Sequence, residues 1–92
     1  MSRSRLQIVY SGHVQGVGFR YTVKSLAPGY ELTGTIRNLP DGRVELMVEG
    51  DREELEAFAQ GIRESGLESL IRNEQIAWSL ASGGFRGFEI VN

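Results

Sequence analysis

The residues best suited to chemistry lie in one run, Gly12-His13-Val14-Gln15-Gly16-Val17-Gly18-Phe19-Arg20. Its glycines let the backbone adopt left-handed angles and bring main-chain N–H groups together as a nest. If a helix starts just after them, its first N–H groups have no intrahelical acceptor and sit at the positive end of the helix dipole, a setting that attracts anions. Arg20 then falls in the first turn, where a cation is disfavoured by roughly 0.3–1 kcal/mol unless something negative offsets it. Its planar guanidinium suits two oxygens of a phosphate. The spacing matches neither Gly-x-Gly-x-x-Gly nor the nucleotide-binding Gly-x-x-x-x-Gly-Lys-Ser/Thr pattern. From the residues alone, an anion loop and a plain glycine-rich connection with a surface arginine both stay open. A second candidate, Asn38, offers a carbonyl and an NH₂ that could hold a water and a phosphate oxygen together. Asparagine before a Pro-Asp-Gly turn equally serves as a backbone cap. His13 could touch an anion, but a solvent-facing place is expected for it.

Regular elements must position these groups. Leu6, Ile8 and Tyr10 alternate with Gln7, Val9 and Ser11, predicting a first strand with one buried face. Phe19, Val23, Leu26 and Ala27 share one helix face, and Pro28-Gly29 ends that helix. Leu32, Gly34 and Ile36, then Val44, Leu46 and Val48, predict two strands joined by the Leu39-Pro40-Asp41-Gly42 turn, in which Gly42 takes the left-handed conformation. Asp51 with Glu54 reads as a capping box opening a second helix, with Leu55, Phe58, Ala59 and Ile62 as its buried stripe and Gly66 as its C-cap. Ile76, Trp78 and Leu80 form a fourth strand, with Trp78 in the core. Ser82-Gly83-Gly84 breaks it, and Phe88 with Ile90 makes a short last strand. This β-α-β-β-α-β order predicts an α+β, ferredoxin-like sandwich. Two helices cover one face of an antiparallel sheet, and an extra C-terminal strand is added.

Composition narrows the function. The chain has 92 residues, no cysteine and one histidine, so thiolate catalysis, disulfides and His-pair metal sites are excluded. A single domain over residues 1–92 is expected at this length. Residues 1–50 carry six basic against four acidic groups and residues 51–92 four against eight, which places any anion site in the first half. An acidic pI near 5.4 and a single lysine argue against nucleic acid as partner. An RNA-binding domain of the same topology would also need aromatics on its third strand, where Arg43-Val44-Glu45-Leu46-Met47-Val48 has none. The basic start is followed by an interrupted apolar run, so no export signal and no membrane span are expected. A cytoplasmic monomer is the expectation.

The run from Gly12 to Arg20 resembles the first signature of the acylphosphatase family, Gly-x-Val-Gln-Gly-Val-x-Phe-Arg. Gly34-Thr35-Ile36-Arg37-Asn38-Leu39-Pro40-Asp41-Gly42-Arg43-Val44-Glu45 is similar to the second, Gly-aromatic-Val-x-Asn-x-x-Asp-Gly-x-Val-Glu. Phe88-Glu89-Ile90 matches the family's last strand. The resemblance implies metal-independent hydrolysis of acyl phosphates to a carboxylate and inorganic phosphate, with no cofactor. It implies Arg20 and Asn38 as catalytic residues, and Gln15, Gly16, Val17, Gly18, Phe19 and Arg20 as the phosphate cradle. The partner would be a small acyl phosphate, with inorganic phosphate or sulfate as competing ligand. Three departures bear on rim packing and substrate preference: Thr35 in place of an aromatic, Pro28-Gly29-Tyr30 near the helix end, and the closing Val91-Asn92. Two other readings follow from the residues: a non-catalytic anion-binding regulatory module, and an accessory domain of a larger enzyme, which the chain length disfavours.

Overall fold

A computed structural model describes residues 3–92; Met1 and Ser2, part of the basic start considered above, lie outside them. Strand β1 spans Ser4–Gly12, helix α1 Phe19–Leu26, β2 Leu32–Asn38, β3 Val44–Gly50, helix α2 Arg52–Ile62, β4 Ile71–Leu80 and β5 Phe88–Ile90. The sheet order is β4-β1-β3-β2-β5. The first four strands pair antiparallel, as expected, and β5 adds to the β2 edge in parallel. The fold is ferredoxin-like α+β with an extra C-terminal strand.

Alternation along the strands puts one side chain in two under the helices. Leu6, Ile8 and Tyr10 of β1 face Val48, Leu46 and Val44 of β3, and Ile36 of β2 continues the middle row. Phe19 and Val23 of α1 and Leu55, Phe58, Ala59 and Ile62 of α2 close over them as one core. The Phe58 ring meets Tyr30 and Phe88 edge-on, with centroids 5.2 and 6.0 Å apart. Gly34 lies beneath β3 so closely that a Cβ there would run into the Met47 carbonyl.

Three expectations change. The capping box does not form: the Asp51 side chain makes no cap bond, and Glu54 Oε1 instead accepts from the Glu31 N–H at 2.8 Å. The Leu32–Gly50 pairing brings the α1–β2 connection to the start of α2, where that N–H takes up the carboxylate. The fourth strand begins five residues earlier than Ile76, and as an edge strand it reaches past the cover of α2, leaving Ile76 and Leu80 exposed. Trp78 is therefore only partly buried; it packs against the core with the Arg52 guanidinium over its ring at 4.1 Å.

The other sheet face carries a buried charge. Glu49 has no solvent exposure, although its alternation with Val48 reads as outward. The chain between β4 and β5 crosses this face from one edge to the other and covers it. Glu49 accepts hydrogen bonds from the Ser82 and Gly83 N–H groups (both 2.9 Å), from Arg5 (2.7 Å) and from the Ser82 hydroxyl (3.2 Å). Burial alone would raise its pKa, but those donors outweigh it and bring the carboxyl down to about 2 from 4.5. A depressed carboxylate stabilises the fold above its unfolded pKa and loses that contribution as pH falls through the folded one. Stability should therefore fall as pH drops from about 4.5 toward about 2. Urea unfolding across this range should give a shallower slope for Glu49→Gln than for the parent; identical slopes would refute the assignment.

Candidate active site

The candidate loop leaves β1 at a bulge between Ser11 and Gly12. Gly12 has φ 129°, and a Cβ there would meet the Leu70 carbonyl and lie 2.7 Å from the Arg72 nitrogen, so both angle and space demand glycine. His13 is exposed, as expected, and its N–H donates to the Leu70 carbonyl at 2.9 Å. Val14 and Phe19, each 1% exposed, sink into the core and pin the two ends of the loop. Between them Gly16 and Gly18 take φ 75° and 78° with open space where a Cβ would go, so here glycine serves the angle alone.

The consequence lies in the main chain. Gly18 is the α1 N-cap, in a left-handed conformation without a side-chain cap, and the first α1 turn holds no acidic residue. Thr22 makes the first helical bond, to the Gly18 carbonyl at 3.0 Å. From Gln15 through Arg20, no N–H donates to another group among the described residues. Gly16, Val17 and Gly18 are exposed, so these donors face solvent, and such a run next to a left-handed glycine nest can receive an anion. Arg20 is half-buried in the same turn and makes no ion pair among the described residues.

Asn38 ends β2 opposite Val44, which in turn faces Tyr10. All three occupy the helix-facing side, and the Phe19 ring lies 5.0 Å from that of Tyr10. The Asn38 Oδ1 is buried and has no hydrogen-bond partner among the described residues. Below it the turn forms as expected: Gly42 is left-handed at φ 95° and donates to the Leu39 carbonyl at 3.1 Å, while the Leu39 N–H donates to Arg43 O at 2.7 Å. Asp41 accepts from the Arg43 N–H and guanidinium, which hold its carboxyl below the usual carboxylate range. With the turn closed by these bonds, the Asn38 side chain is not its cap.

Sequence reasoning missed what the Gln15 side chain does. Its Nε2 donates to the carbonyls of Leu39 at 2.8 Å and Arg43 at 2.9 Å, joining the loop to the turn beside Asn38. The signal was available only as a long amide within a loop otherwise made of glycine and valine. Tyr10 was read as core and is; its buried hydroxyl has no partner among the described residues, and burial first, then the Glu74 carboxylate, pushes the phenol far above its ordinary pKa, with Arg63 opposing. It stays neutral and acts by packing.

The acylphosphatase family model matches residues 6–90. An acylphosphatase of Acidothermus cellulolyticus is 44% identical over 91% of this chain and 83% of its own length. One of Pelotomaculum thermopropionicum is 41% identical over 98% of both. Among solved structures, the acylphosphatase of Bacillus subtilis superposes with a TM-score of 0.87 at 34% identity, covering 97% of this chain and 99% of the other.

The two kinds of glycine predict different penalties. Gly18→Ala meets only left-handed strain and should cost about 1–2 kcal/mol with the fold retained. Gly12→Ala adds the collision with Leu70 and should cost more. Denaturant midpoints of the two variants check the order, and equal midpoints would contradict it.

Proposed function

The chain belongs to the acylphosphatase family, and we propose that it hydrolyses the carboxyl–phosphate bond of acyl phosphates by gripping the phosphoryl group between the Gln15–Phe19 amides and Arg20, with Asn38 positioning the attacking water. The observation that carries this reading is the run of main-chain donors from Gln15 to Arg20 that no group among the described residues accepts, in the turn that also holds Arg20, which makes no ion pair among them. The buried, unpartnered Asn38 Oδ1 supports the second half.

The chemistry asks little more of the protein. The leaving group is a carboxylate whose conjugate acid has a pKa of about 4, so it departs at neutral pH without a general acid. A loose, in-line phosphoryl transfer depends on positioning and on stabilising charge over the equatorial oxygens. The loop amides and the Arg20 fork supply that charge stabilisation without a metal. Asn38 Oδ1 accepts a hydrogen bond from the water, and its NH₂ can donate to a phosphate oxygen, aligning the two. The water oxygen bonds to phosphorus as the bond to the acyl oxygen breaks. The proton goes to the phosphate product or to solvent, since an amide is too weak a base to take it.

Arg20→Ala should lower kcat/KM for benzoyl phosphate by on the order of 10²–10³ or more, and Arg20→Lys should not restore it because the fork is gone. Asn38→Ala should keep the fold and weaken inorganic phosphate or sulfate as competitors far less than it lowers kcat, because only one of several phosphate donors is lost. Turnover should persist after treatment with a chelator. Unchanged kcat in Asn38→Ala, or phosphate binding with no hydrolysis by the parent chain, would refute the enzymatic assignment of these residues.

A further inference from the structure

Resting on the reading just given, we propose that the Gln15 side chain is a positioning residue: a latch that sets the water-holding amide of Asn38 relative to the phosphate cradle. One residue then serves both halves of the site, its main-chain N–H on the phosphate side and its Nε2 on the hairpin side.

The geometry is specific to a primary amide. Two carbonyls, Leu39 O and Arg43 O, lie 2.8 and 2.9 Å from the same Nε2, and a side-chain NH₂ has two protons to give. Each carbonyl is already part of the turn, Leu39 O accepting from Gly42 and Arg43 O from Leu39, so the latch engages the closure of the hairpin itself. Leu39 directly follows Asn38 in the chain, and a shift of the turn carries Asn38 with it. Besides this latch, the β2–β3 ladder through Val44 and the Leu39 N–H bond to the Arg43 carbonyl hold Asn38 at its strand end. Strand ends fray more readily than strand centres. The loop end of the latch is firm, because the neighbouring Val14 is buried in the core. An in-line attack tolerates little error, and about 1 Å of misplacement can cost on the order of 10²-fold in rate.

The test compares kcat for benzoyl phosphate with the inhibition constant for inorganic phosphate. Gln15→Met keeps length and removes both donors; it should lower kcat by on the order of 10²-fold and leave the phosphate constant within roughly twofold. A phosphate constant that rises in proportion to the fall in kcat would place the side chain's effect on the cradle and overturn the latch. In the double variant with Asn38→Ala, adding Gln15→Met should cost no more than roughly twofold beyond Asn38→Ala alone, because both remove the same function. Fully additive losses overturn the latch while leaving the catalytic role of Asn38 standing. A wild-type kcat in Asn38→Ala instead sinks the catalytic reading, and the latch with it.

Gln15→Glu tests the same point if the methionine variant folds poorly. At neutral pH its carboxylate faces two carbonyls with nothing to donate. Protonated, it regains one donor. Its kcat relative to the parent should therefore recover severalfold as pH falls from 7 toward about 4, and a ratio flat with pH would contradict the proposal.

Discussion

Everything about this molecule's candidate site depends on one constraint: a short loop must leave a central strand and enter a helix while its main-chain donors stay free. The backbone's usual tendency is the reverse, because unpaired N–H groups that lose water without a replacement cost about 1–3 kcal/mol each. Val14 and Phe19 resolve the conflict. Their burial ties both ends of the loop to the core, and the left-handed Gly16 and Gly18 keep the intervening peptides from closing ordinary turn bonds. The hydrophobic effect, acting on two side chains, holds in place a polar surface that would not organise itself.

The sheet order serves the same end. Because α1 follows β1 and β2 is added two strands away, the loop at the end of β1 and the turn at the end of β2 arrive at one end of the sheet, with β3 between them. The row Tyr10, Val44, Asn38 spans that end on the helix side, and Phe19 packs on its first member. The loop that leads to Arg20 and the turn that follows Asn38 are joined there by the Gln15 side chain.

Much of this was legible in the sequence, and what was not has a common cause. The strand and helix order, the Leu39–Gly42 turn and the buried stripes follow from local periodicity and turn chemistry, which act within a few residues. The residues proposed for catalysis stood out because two motifs carried them. The errors involve groups whose partners are far along the chain. The burial of Glu49 has no local signal, because alternation cannot foresee that residues 81–87 will cross above it. Glu54 looked like a cap because the competing Glu31 N–H is 23 residues away. Trp78 was expected in the core and is only partly buried, because a strand's pattern does not reveal that it lies at an edge. Gln15 belongs in the same class, since its two acceptors lie 24 and 28 residues on.

Those long-range contacts show how a small core can fix the end of one strand from several sides. Strand β2 is fixed along its length by separate segments. At its start the Gly34 N–H donates to the Gly87 carbonyl at 2.8 Å, at the end of the crossing segment that Glu49 anchors. In its middle the Ile36 carbonyl accepts from the Val91 N–H at 2.9 Å. At its far end Gln15 binds the adjoining turn. None of these bonds is strong alone, each contributing about 0.5–1.5 kcal/mol net. They act on one short strand from different parts of the chain, so moving Asn38 requires several of them to yield together. Precision at a site of this size comes from convergent anchoring of a rigid element rather than from bulk of core.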